Sequence, residues 1–343
     1  MSGHHPPSPA RGREVSRLDD LLARTSDRRV IEDAPGKSGA LLERVIVDGA
    51  PHMLKFLDLG RDWTMRASGV LRGATCELWW RWLLDRLPGC LDQPVVDVAV
   101  GEVEPGRRVT AVLMRDVGAS LVQVGEEPID LDVHRTLLHH AAALHAAFWD
   151  AGPEIDVVTP LARFLELSPV MAETEAARGG DPLVPRLVGE GWPLLATVAP
   201  RAAAVVGPLA RDPSPLVTAL AGTPQTLVHG NLKLDNLGID AEGRTVLLDW
   251  ETSGRGAPTF DLAWYLAINC RRLPESKEDT IAAYRASLEE HGVPTQGWWD
   301  EQLALSLLGG LVLFGWEKAF GGLDDELLWW QEHAIAGAAL LHP

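Results

Sequence analysis

Two nearby stretches hold the side chains best suited to chemistry: His229-Gly230-Asn231-Leu232-Lys233-Leu234-Asp235-Asn236 and Val246-Leu247-Leu248-Asp249-Trp250-Glu251. Between them, Leu237–Asp240 and Thr245–Leu248 read as short strands joined by Ala241-Glu242-Gly243-Arg244. Folding about the midpoint of that turn sets Asn236 opposite Asp249, to within a residue or two of register. An amide oxygen and a carboxylate at one end of a hairpin suit a hard cation such as Mg²⁺, which takes few protein oxygens and completes its shell with phosphate and water. Taken alone, the same pair also reads as a turn cap and a loop start.

The flanking sequence supplies the elements that must position these groups. Leu41–Val47 and Met53–Leu57 read as a β-hairpin turning at Asp48-Gly49-Ala50-Pro51. Cys76, Trp79, Trp80, Leu83, Leu84 and Leu87 recur at three-and-four spacing, which predicts an amphipathic helix over 74–87 ending at Pro88-Gly89. Strands are expected near 95–100 and 109–114. Beyond residue 118 the pattern is mostly helical, with a stripe through Leu137, Ala141, Leu144 and Phe148 and further helices near 276–290, 300–320 and 324–341. The expected fold is α+β and bilobal. Residues 1–15, rich in Pro, Gly, Arg and Ser, form a mobile tail; 16–118 form a small sheet-bearing lobe; 119–343 form a larger, mostly helical lobe, with a cleft between the lobes.

Composition narrows the partners. The 343 residues carry 31 Lys+Arg against 48 Asp+Glu, a formal charge of −17, so binding to a nucleic-acid polyanion is disfavoured. A cationic small substrate agrees with that sign, as does plain solubility. The three cysteines form no CxxC pair, which argues against a disulfide framework or zinc site and for a reducing, cytoplasmic setting. The longest apolar run, Leu303–Trp316, is too short to span a bilayer, so no membrane association is expected. Gly36-Lys37-Ser38-Gly39 is not a P-loop, because the motif's first glycine would fall at Ile31; it is read as a small-residue loop able to close over phosphates. His139, His140 and His145 lack the i,i+4 spacing of a zinc pair and read as packing or surface residues.

His-Gly-x-Leu-Lys-x-x-Asn followed by Leu-Leu-Asp-Trp-Glu resembles the catalytic and metal-binding loops of the aminoglycoside phosphotransferase family, small-molecule kinases with the protein-kinase-like fold. The resemblance implies transfer of the γ-phosphoryl group of ATP (or GTP) to a hydroxyl of an aminoglycoside-like antibiotic, amino sugar or amino alcohol. It implies that Lys55 holds the nucleotide phosphates with Glu77 as its partner, although Glu77 is also placed to pair with Arg81 at i,i+4. Met114, Asp116 and Val117 fall at the adenine hinge. Asn236 and Asp249 take Mg²⁺, Lys233 neutralises the transferred phosphate, and His229 and Asp261 support the catalytic loop. Glu317, Asp324, Asp325 and Glu326 are candidates for holding a cationic acceptor, and equally read as a solvated acidic face.

The family places aspartate where this chain has Asn231. An amide accepts a hydrogen bond but does not take up a proton at ordinary pH. Nucleotide binding is expected to survive and turnover to fall, with Asp235 as a partial substitute. The alternative is a nucleotide-binding pseudokinase or regulatory module. A protein kinase fits less well, because the loop starts His-Gly rather than His-Arg and no Ala-Pro-Glu segment follows Asp249.

Overall fold

Asp48-Gly49 folds the first sheet back on itself. Both residues have positive φ, 50° and 79°, as a type I′ turn requires. The turn is therefore two residues long rather than four: Ala50 and Pro51 already belong to the returning strand, paired with Val47 and Ile46. Pro51 is tolerated because the next strand reaches only as far as His52.

The computed structural model describes residues 12–31 and 37–341. In chain order its first lobe comprises β1 Ser16–Arg17, α1 Leu18–Ala23, β2 Thr25–Val30, β3 Leu41–Val47, β4 Ala50–Leu57, α2 Trp63–Ser68, α3 Ala74–Trp80, β5 Leu91–Asp92, β6 Val95–Glu104 and β7 Arg107–Arg115. Six of these strands form one sheet in the order β1-β6-β7-β4-β3-β2. One face packs Val45, Leu54, Phe56 and Leu113 under Leu18 and Leu21, which begin and line α1; the other carries Leu57, Val98 and Val112 into the main core.

The second lobe runs α4 Leu131–Ala147, α5 Pro160–Leu165, α6 Pro169–Ala177, α7 Leu183–Val198, α8 Pro200–Arg211 and α9 Ser214–Ala221. It continues through β8 Thr226–Val228, β9 Leu237–Ile239, β10 Thr245–Leu247 and β11 Gly254–Gly256 to α10 Pro258–Ile268, α11 Lys277–Glu290, α12 Trp299–Ala319 and α13 Asp325–Ala338. The apolar run at 303–316 lies inside α12, which is buried on nearly every side. No helix among the described residues is long and apolar enough to cross a membrane.

Among the contacts that join the lobes away from the cleft, two are prominent. β5 pairs in parallel with β10, Leu91 opposite Thr245. The Arg66 guanidinium of α2 forks onto the buried Glu175 carboxylate of α6 at 2.7 and 2.5 Å, and also donates to the Leu59 carbonyl.

Two further expectations shift. The helix expected over 74–87 stops at Trp80, because Trp82 adopts left-handed φ (61°) and the Leu83 amide returns to the Leu78 carbonyl, a Schellman-type stop. Most of the expected tail, residues 1–11, lies outside the described residues, but Arg13 is packed: its guanidinium sits 3.4 Å from the Trp79 ring centroid and binds Asp85 at 2.7 Å.

Candidate functional site

The β9–β10 hairpin delivers the pair expected at its open end. Leu237 opposes Leu247, so Asn236 faces Leu248, one residue short of Asp249, and the Leu248 amide donates to the Asn236 carbonyl. Asp249 then takes left-handed φ (63°), turning its carboxylate back toward the loop that starts at His229. Asp249 Oδ2 accepts from the Asn231 amide at 3.3 Å, and the Asn236 amide donates to the Asn231 carbonyl at 3.3 Å. Asn231, Asn236 and Asp249 therefore converge.

Lys55 completes this centre from the other lobe. It lies mid-strand in β4, opposite Leu42 and Val112, and its Nζ binds Asp249 Oδ1 at 2.6 Å. Burial disfavours the ammonium, but Asp249, Glu251 and Asp62 outweigh that cost and raise its pKa above the ordinary lysine value. Burial likewise works against ionisation of Asp249, and Lys55 reverses it, holding the carboxyl below its ordinary value.

Glu77 is not the partner of Lys55. Its carboxylate lies 3.3 Å from Arg81, which is itself held by the Glu154 and Asp156 carbonyls. In the short α3 the first turn faces the cleft, which turns Thr75 inward and Glu77 away. Asp249 is the ion-pair partner of Lys55 instead, and Glu251 anchors the start of α3: one oxygen accepts from the Ala74 amide at 2.9 Å, the other from the Thr75 hydroxyl. Burial pushes the Glu251 carboxyl up to about 7, opposed by Lys55 and Thr75.

That raised value sets a pH dependence. The folded pKa exceeds the unfolded one, so the contribution of Glu251 to stability is complete below the ordinary glutamate range and is lost as pH rises through about 7. Thermal melts should fall by the equivalent of about 2–3 kcal/mol between pH 4.5 and 8 from this group. Glu251→Gln should flatten that slope; an unchanged slope would reject the assignment.

Asp261, fully buried on α10, accepts the His229 and Gly230 amides at 2.7 Å each and contacts His145 Nε2 at 3.1 Å. Gly230 has φ of 80°, and a Cβ there would meet the Thr252 carbonyl at 2.5 Å, so only glycine fits. His229 is buried against Trp250, and burial lowers its pKa, keeping the ring neutral.

Sequence reading missed three further braces. His145, read as packing, links Tyr284 to Asp261. Arg163 is buried and donates to the Gly230 carbonyl at 2.6 Å. Asn269 accepts the Leu234 amide and donates to the Leu232 carbonyl. Only Glu251, in the Asp-x-Glu order, left a local signal; the others lie far from the loop in sequence.

Lys55, Thr75, Asn231, Asn236, Asp249 and Glu251 line a cavity of about 1020 Å³ between the lobes, with the loop braces packed behind them. At one end lie Met114, Asp116 and Val117 with Leu42, Met53 and Leu247; Asp116 is tied to Arg44 at 3.0 Å. Lys233 and Asp235 line its middle, ion-paired to each other. Lys37 and Ser38 reach its rim, their carbonyls accepting from Trp63, whereas Gly36 lies outside the described residues. At the far end, Glu317, Asp324 and Glu326 line the wall and Asp325 does not. The oxygens of Asn236 and Asp249 suit Mg²⁺ in kind, two hard donors in a polar, half-open site.

A sequence model of the phosphotransferase enzyme family matches residues 98–294, more than half of the chain. No curated protein matches the chain by sequence. Among solved structures, the choline kinase LicA from Streptococcus pneumoniae aligns over 93% of this chain and 95% of its own, at 14% identity and a TM-score of 0.50. A thermostable mutant of the aminoglycoside phosphotransferase APH(4)-Ia, in ternary complex with ADP and hygromycin B, aligns over 95% and 98%, at 15% identity and a TM-score of 0.49.

Proposed function

We propose, from the premise that this chain belongs to the phosphotransferase enzyme family, that it binds a nucleoside triphosphate with Mg²⁺ and passes the γ-phosphoryl group to a hydroxyl of a small molecule, slowly because of Asn231. The observation that carries this reading is the Lys55–Asp249 pair, joined across 194 residues of sequence on the wall of the interlobe cavity.

The roles follow from position. Adenine lies at the Met114–Val117 end against Leu42, Met53 and Leu247. Lys55 takes the α- and β-phosphates once it is released from Asp249. Asn236 and Asp249 would hold Mg²⁺, which supplies charge neutralisation on the phosphate oxygens. Lys233, freed from Asp235, faces the transferred group. The Asn231 amide oxygen orients the acceptor hydroxyl and leaves its proton in place. Phosphoryl transfer has a loose transition state with modest early demand for proton removal, so positioning and neutralisation sustain residual turnover.

Calorimetry tests this directly. Mg·ATP should bind the purified chain, and Asp249→Ala should weaken it by at least about 100-fold, with the metal dependence lost. Unchanged affinity would place the metal elsewhere. The pseudokinase reading keeps one supporting observation: the Asn231 amide donates to Asp249, so the loop is well satisfied without a base.

A further inference from the structure

Most of the acids at the far end of the cavity already lie beside a cation. Lys318, buried in α12, lies 3.1 Å from Glu317 and 3.4 Å from Glu326, and also donates to the Ala267 carbonyl. Glu326 takes a second cation, Lys277, at 2.5 Å. Asp324 caps α13 through the Leu327 amide at 2.8 Å. Glu166, on the same wall, is paired with Arg163, and Arg271 adds a positive charge. A polycation arriving here would meet three carboxylates, Glu166, Glu317 and Glu326, that already have a cation beside them, and Asp324, which has a backbone amide only.

Much of the rest of that wall is apolar. α7 contributes Val184 and Leu187, α10 contributes Ile268, and α12 contributes Phe314 and Trp316, followed by Phe320. Phe320 is 48% exposed on the cavity lining, where solvent would otherwise favour a polar residue.

We infer that the acceptor is a hydroxylated molecule with a large apolar face and at most one positive charge, seated against α7, α10 and α12. This rests on the phosphotransferase reading for the position of the hydroxyl and on the wall itself for the apolar face.

The test is a matched series. Methyl, hexyl and octyl β-D-glucosides, all below their micelle concentrations, are titrated calorimetrically into the full chain with Mg²⁺ and a non-hydrolysable ATP analogue. A second series runs from methyl glucoside through glucosamine to the polyamine neomycin. Affinity should climb about two- to fourfold for each added CH₂. Each added amine should change it less than about twofold. Phe320→Ala and Leu187→Ser, neither of which touches the phosphate centre, should flatten the chain-length slope. A flat alkyl series, an alkyl slope indifferent to both substitutions, or a steep rise with each amine overturns the inference. Nucleotide binding is read separately: its loss removes the kinase reading, while the chain-length slope alone decides the apolar acceptor.

Discussion

Asn231→Asp should raise phosphoryl transfer by about 10²- to 10⁴-fold, the usual range for restoring a general base. The gain belongs in kcat, because Lys55, Asn236 and Asp249, the residues proposed to hold nucleotide and metal, keep their side chains. The substitution also has a cost in the metal-free protein. The Asn231 amide now donates to Asp249 Oδ2 at 3.3 Å, and a carboxylate there would face another carboxylate instead. Mg²⁺ would relieve that repulsion, so melting temperature should rise more with Mg·ADP in the variant than in the parent. The assay is phosphate-dependent mass gain across a panel of amino sugars, amino alcohols, antibiotics and apolar alcohols. No transfer to any of them after the substitution would remove most of the weight from the enzyme reading.

The largest structural loss is expected at Asp261. Asp261→Ala leaves the His229 and Gly230 amides without acceptors and strips His145 of its carboxylate, all inside the core. Removing one member of a buried charged network costs about 3–5 kcal/mol. Urea midpoints should fall accordingly, and a loss below about 1 kcal/mol would show that the loop is held by Arg163 and Asn269 instead. The pH behaviour has the opposite sense to that of Glu251. Burial works against the Asp261 carboxylate, but His145 and the two amides more than offset it and hold the pKa below the ordinary aspartate value. Its stabilisation is therefore complete above the unfolded aspartate pKa and drains as pH falls through the depressed folded one.

How much of this was readable from the chain depended on distance along it. The 229–251 cluster was legible because hairpin geometry is local: the turn at 241–244 fixes which residues meet, and the error at Asn236 was a single position. The two lobes were legible from hydrophobic period and from the family resemblance. Glu77 misled because the resemblance puts an acid on the helix after the lysine without saying which way a two-turn helix faces. That orientation is decided by Glu251, 177 residues away from Ala74, which holds the first turn of α3. The acidic stretch at 317–326 hid its partners for a similar reason: Lys318 neighbours Glu317 in sequence, but Lys277 and Lys318 reach Glu326 only once α11, α12 and α13 are packed. His145, Arg163 and Asn269 left no pattern at all, since a brace needs only one donor or acceptor at the right place in space.

The Arg66–Glu175 fork carries a consequence for how ligands get in. Separating the lobes there would strand a carboxylate that is 4% exposed, a cost of several kcal/mol that thermal breathing rarely supplies. With the β5–β10 ladder as a second tether, the crevice is held near one width whether or not anything occupies it. Capture then proceeds by entry into a ready-made slot, so association should run close to the rate set by encounter and orientation rather than waiting on a clamshell to swing.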